Sequence, residues 1–265
     1  MGIGMRAGAL AALLISVALA AQAAELRVAA ASDLSFALPE IARHFGRQSG
    51  DTVKLSFGSS GNLHAQITNG APYDLFFSAD VSYARRLEEA GLIEPGSLAI
   101  YAVGQLALWV PRTSRLDPDR IGLAVLADPS VRKVALANPA HAPYGRAALA
   151  ALDYYKLTRR IEPKLVYGEN VLQAAQFVQS GAADAGLVAL AIALAPPMRE
   201  SGRYWKVPDE AYPALEQAVV ILKRARARGA LGPAQAFLAW LKGEAGRNDL
   251  ERRGFRIPGP QAKRP

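Results

Sequence analysis

Short apolar runs alternate with helical patterns along this chain, and that order constrains the fold more than any other feature. From residue 26 the chain reads LRVAAA, a helical pattern over 36–47, VKLSF, a helical pattern over 62–69, DLFFSA and a helical pattern over 83–90. Such a series folds as a parallel sheet flanked by helices, because each helix returns the chain to begin the next strand in the same direction. A second series follows, with KVALAN before 146–155, PKLVY before 172–179, and AGLVAL before a segment closed by Pro196 and Pro197. Two long apolar stretches, IYAVGQLALWV at 100–110 and LEQAVVIL at 215–222, separate the series and bring the chain back; helical patterns at 233–242 and 248–253 end it. The expected fold is α/β with two lobes, each a sheet flanked by helices, joined by two hinge crossovers. Residues 24–103 and 217–265 are assigned to the first lobe and 104–216 to the second.

The first residues read as an export signal. Arg6 precedes a short apolar run over 7–20, and Ala21-Gln22-Ala23 forms a small-x-small cleavage site, so 1–23 is expected to be a cleavable signal peptide and the mature chain periplasmic. No later stretch reaches the roughly 18 apolar residues of a spanning helix. The chain has no Cys, which excludes disulfides, thiolate metal sites and a lipid-modified cysteine anchor, and leaves stability to a hydrophobic core. Lys and Arg number 31 against 23 Asp and Glu. Spread as they are, these charges indicate solubility and loose attraction to anions. The denser run KRARAR at 223–228 has no interleaved aromatics; it reads as a solvated surface after a strand, and no nucleic-acid partner is expected.

In open α/β sheets ligands settle beyond the C-terminal ends of strands, where helix N-termini point. Four such junctions share one chemical character: Ala31-Ser32-Asp33, Gly58-Ser59-Ser60-Gly61-Asn62, Ala142-Pro143-Tyr144-Gly145 and Gly168-Glu169-Asn170-Val171. Each places small or hydroxyl residues before a helix and so presents free backbone N–H groups at the positive end of a helix dipole. Any one of them alone is an ordinary helix cap. Four converging on one cleft would surround an anion without using a cation.

Catalytic and metal signatures are missing. His44, His64 and His141 lack metal-site spacing, and His141 is expected to serve its Pro-flanked loop. Tyr154 and Tyr155 close a helix and are read as packing residues. Asp74, Asp80 and Asp184 flank strands and are read as turn and strand-end caps. No nucleophile elbow, phosphate-binding loop or dinucleotide fingerprint occurs, so the chain is read as a non-enzyme.

The segments AAASDL around residues 30–34, FGSSGNLHAQITNGAPYDLFFSAD at 57–80, NPAHAPYG at 138–145 and ENVLQAAQFVQSGAADAGLV at 169–188 resemble the periplasmic molybdate-binding proteins of ABC importers. The likeness runs in order over the mature chain to a C-terminal RRGF. The resemblance implies the type II periplasmic-binding-protein fold, a molybdate or tungstate ligand, no cofactor, a membrane permease of an ABC importer as partner, and a monomer. It implies an oxyanion site made of Ser32, Ser60, Tyr144 and Val171, with Asp33, Ser59 and Asn170 as additional candidates. In one branch of the family a Tyr hydroxyl from the late strand also reaches the anion. Here that segment is Gly186-Leu187-Val188-Ala189-Leu190, so the Tyr144 phenol is the expected replacement. A carboxylate beside an anion repels it, so the Asp33 side chain is expected to turn away and cap the following helix. Alternatives on the same scaffold are a binder of another oxyanion such as sulfate, an enzyme, or a sensor module.

Overall fold

A computed structural model describes residues 23–259; the signal-peptide reading falls almost wholly outside them. Among the described residues, ten strands form two five-stranded sheets. In the first are β1 (Glu25–Ala31), β2 (Thr52–Gly58), β3 (Leu75–Ser78), β4 (Ala99–Gly104) and β10 (Leu215–Ile221), in the order β2-β1-β3-β10-β4. In the second are β5 (Leu106–Pro111), β6 (Val134–Ala137), β7 (Leu165–Gly168), β8 (Ala185–Ala189) and β9 (Gly202–Lys206), in the order β7-β6-β8-β5-β9. In each sheet three strands linked by helical crossovers run parallel, and two strands pair antiparallel beside them. The α/β expectation and the two-lobed frame hold.

Seven helices longer than two turns cover the sheets: α1 (Ala37–Ser49), α2 (Ser60–Thr68), α3 (Val81–Glu89), α4 (Pro143–Tyr154), α5 (Val171–Gln179), α6 (Leu231–Lys242) and α7 (Glu244–Arg252). The twofold side-chain period of a strand divides the first lobe's core between two faces. Leu75 and Phe77 pack with Ile41, Phe45, Phe237 and Leu250 of α1, α6 and α7, while Phe76 between them packs with Leu63 and Leu87 of α2 and α3. Both rings are fully buried, each stabilising the fold by roughly 1.5–3 kcal/mol. The C-terminal helices thus rejoin the first lobe. Helix α1 stops at Gly50, whose φ of 80° is a left-handed cap that favours glycine.

The apolar stretch at 100–110 forms two strands, not one. Gln105 alone carries the chain from β4 in one sheet to β5 in the other. Its side chain donates to the Gly254 carbonyl at 2.9 Å, and its own carbonyl accepts from the Leu190 N–H at 2.8 Å. The chain returns through 207–214. Leu215 and Glu216 pair with Gly104 and Val103, so by sheet membership these strand-end residues side with the first lobe, slightly beyond the division read from the sequence.

KRARAR lies at the surface after β10, with Lys223, Arg224, Arg226 and Arg228 all exposed, and two of these cations also serve buried carboxylates. Arg226 pairs with Glu94, and Arg228 reaches Asp74 at 2.5 Å. Asp74 is fully buried and also accepts the Arg27 N–H at 2.8 Å; a carboxylate so placed requires a cation. One strand, β9, escaped the sequence reading. Its alternating exposure marks a half-buried edge strand, and it begins at Gly202 because the Trp109 ring fills the space a Cβ would need.

Candidate functional site

The four junctions meet where the lobes face each other. Ser32 begins a single 3-10 turn after β1, Ser60 begins α2 after β2, Tyr144 lies in the first turn of α4 after β6, and Val171 begins α5 after β7. All four line one small cavity, together with Asp33 and Ser59. Its free volume is about 10 Å³, far below the roughly 300–1,000 Å³ of pockets for drug-sized ligands. No Lys, Arg or His lines it.

Each lobe supplies donors. Ser60 is fully buried, and its Oγ accepts the Ala79 N–H at 3.0 Å. With that acceptor role filled, its hydroxyl proton is free to be given to a ligand. Ser32 is buried beside it. On the second lobe Pro143 stands at the start of α4 and brings no N–H, while the Gly145 N–H is satisfied by Ala142. The Tyr144 and Val171 amides have no acceptor among the described residues. Orphan amides in the first turn of a helix are the donors that anions use.

The additional candidates separate. The Asn170 side chain caps α5, accepting from the Leu172 and Gln173 amides at 3.0 and 3.1 Å, and it does not line the cavity. Ser59 lines the cavity, but its Oγ caps α2 through the Asn62 N–H and lies 3.0 Å from His141 Nδ1. Capping claims both side chains because each occupies the N-cap position.

Asp33 does not cap a helix as expected; the 3-10 turn it belongs to has no side-chain cap. Its Oδ2 accepts from Gln217 Nε2 at 2.5 Å and from the Tyr144 hydroxyl at 3.2 Å, and its Oδ1 is buried without a partner. Burial pushes its pKa up to about 7, against the opposing effect of the Gln217 and Tyr144 hydrogen bonds. The Tyr144 phenol is committed to the same network. It accepts from Gln217 Nε2 at 3.3 Å, and Tyr101 donates to Gln217 Oε1 at 2.6 Å. Burial first, then the Asp33 charge, raises the Tyr144 pKa well above 10. Its oxygen lies so close to Gly104 that a Cβ there would overlap it. What Tyr144 offers the cavity is therefore its amide and its ring. In this structure the phenol is held by Asp33 and Gln217.

Further contacts bridge the lobes around the cavity. The Gly61 N–H donates to the His141 carbonyl at 2.9 Å, Asn62 Nδ2 donates to Glu169 Oε1 at 3.0 Å, and Arg146 pairs with Asp80 at 2.6 Å. His141, expected to serve its own loop, instead reaches across the cleft, with its Nδ1 3.0 Å from Ser59 Oγ of the first lobe. Asp80 and Asp184 act as caps, the first on the Ser82 amide of α3 and the second on the Arg132 and Lys133 amides before β6. Tyr154 and Tyr155 pack edge to face at 5.2 Å and do not line the cavity. Gln217 and Arg146 escaped the sequence reading. Glu169 was in view as a junction residue, but no local signal pairs it with Asn62, 107 residues away.

Known proteins share this chain's fold. A family model described as bacterial extracellular solute-binding protein matches residues 26–256. The molybdate-binding protein ModA of Azotobacter vinelandii is 37% identical over 239 residues, covering 90% of this chain and 92% of that protein. Its counterpart in Rhodobacter capsulatus is 38% identical over 239 residues, covering 90% and 91%. The solved structure of the Azotobacter vinelandii periplasmic molybdate-binding protein superposes with a TM-score of 0.80 at 35% identity, covering 88% of this chain and all of that one.

Proposed function

The chain belongs to the bacterial extracellular solute-binding protein family, and from that footing we propose that it captures molybdate or tungstate between its lobes and delivers the ion to the membrane permease of an ABC importer. The observation that carries the choice of ligand is the donor set: two buried serines from one lobe and two acceptorless amides from the other, around a small cavity with no cation. Neutral directional donors hold a dehydrated oxyanion by hydrogen bonds, while the helix ends offset part of its charge. In this reading Ser32 and Ser60 donate their hydroxyls, and Tyr144 and Val171 donate their backbone N–H groups. No bond is made or broken. The anion is cargo, and its release needs only that the lobes separate.

The protein works as a periplasmic monomer in this reading, exported by its leader. Among the described residues no helix is long and apolar enough to cross a membrane. Specificity is tested by melting the mature protein in the presence of different anions. Molybdate and tungstate are expected to raise the melting temperature, whereas sulfate and phosphate at equal concentration leave it nearly unchanged. Equal stabilisation by sulfate would overturn the choice of ligand.

A further inference from the structure

We propose that Asp33 takes part in the loaded site as a carboxylic acid: capture of the anion draws one proton from solvent onto Asp33 Oδ1, and that O–H becomes a further donor to the ligand. The proposal rests on the reading of the cavity as an oxyanion site and adds to it a proton-linked, selective contact.

The geometry fixes which oxygen carries the proton. Asp33 is 1% exposed and lines the cavity. Both side-chain donors that reach it, Gln217 Nε2 and the Tyr144 hydroxyl, are aimed at Oδ2, which therefore stays an acceptor. Oδ1 is buried and has no partner. As a bare carboxylate oxygen it is costly to bury, and no cation contacts the group among the described residues. A dianion entering the same cavity adds like-charge repulsion. A proton on Oδ1 removes both penalties, and the resulting O–H finds its acceptor in a ligand oxygen.

The surroundings leave Asp33 as the group that titrates. Of the elements packed against its turn, α5 and the short helix at 190–193 carry no titratable side chain, and β2 carries only Lys54, which is paired with Glu25. From α4 and β4 the phenols of Tyr144 and Tyr101 face the network, both raised well above 10 by burial, and Tyr212 behind Tyr144 is pushed up to about 12. These stay protonated through neutrality. Burial alone already lifts Asp33 into the neutral range before any anion arrives. His141 at the rim touches Ser59 and is the control, since histidine is the side chain that ordinarily changes charge near neutrality.

The sign follows from linkage. A group whose pKa rises on binding takes up a proton, so affinity is highest at low pH and falls as pH climbs through the ligand-free pKa. Between about pH 7 and 9, where molybdate stays a dianion, the dissociation constant is expected to rise by up to about tenfold per pH unit. Asp33→Asn keeps the shape, leaves a carbonyl oxygen for Gln217 and Tyr144, and puts an N–H where Oδ1 stood. It is expected to bind with little pH dependence, and His141→Gln to keep the wild-type slope. Calorimetric titration of molybdate near pH 8, in two buffers of different ionisation enthalpy, counts the protons: close to one taken up by wild type and close to none by Asp33→Asn. Molybdate binding by wild type without proton uptake overturns the proposal, as does an unchanged pH slope in Asp33→Asn. Failure of wild type to bind molybdate at any pH overturns the oxyanion reading itself.

Discussion

Gly145→Ala is expected to destabilise the protein by about 3 kcal/mol, lowering the melting temperature by roughly 6–12 °C for a chain of this size. A Cβ at this position would lie 2.1 Å from the Ala137 carbonyl oxygen and 2.9 Å from both Ala137 C and Pro139 N. All three are backbone atoms, so no side-chain rotation relieves the overlap, and α4 must lift away from the end of β6. The close approach has a functional consequence. Gly145 follows Tyr144, whose amide reaches the cavity only because the first turn of α4 lies flat on β6. The affinity for molybdate is therefore expected to fall together with stability. A melt and a titration of the same variant check both. An unchanged melting temperature would mean that the helix does not sit this close to the strand.

Ser60→Ala is expected to remove two interactions at once. The Ala79 N–H loses its acceptor in a fully buried setting, which costs the fold about 1–3 kcal/mol. The anion loses a hydroxyl donor at a similar cost, so its dissociation constant should rise by roughly 5- to 150-fold. Thermal melts of the ligand-free protein read the first loss, and calorimetry with molybdate reads the second. Reduced stability with unchanged affinity would make Ser60 a brace for the β3–α3 turn and not a ligand.

The parts of this molecule that were legible in the sequence are those set by local patterning. Apolar runs such as LRVAAA and DLFFSA lie where β1 and β3 lie, because strand and helix periods are written into a few consecutive residues. The junctions were legible for the same reason: Ser, Asn and Gly before a helix have few other uses. The long stretch at 100–110 announced a crossover, although its division at Gln105 depends on Gly104 meeting Tyr144 and Gln217 from distant parts of the chain. Asp33 shows where patterning stops. As an Asp at the start of a helical turn it should cap, yet Gln217, 184 residues away at an irregularity in the β10–β4 pairing, turns its amide onto the carboxylate. The pairing of Arg226 and Arg228 was hidden in a similar way, since only the folded chain brings Glu94 and Asp74 beneath them. β9 was missed because GRYWK sets two adjacent aromatics between two cations and lacks the continuous apolar run that marks the inner strands.

The central claim is that a metal oxyanion sits between the lobes in the grip of neutral donors. Crystals of the mature protein grown with molybdate and measured at the molybdenum absorption edge test it most directly. The expected result is one strong anomalous peak in the cavity, with its oxygens within hydrogen-bonding distance of the Ser32 and Ser60 hydroxyls and the Tyr144 and Val171 amides. A peak lying elsewhere, or an anion held there by Lys or Arg side chains, would contradict it.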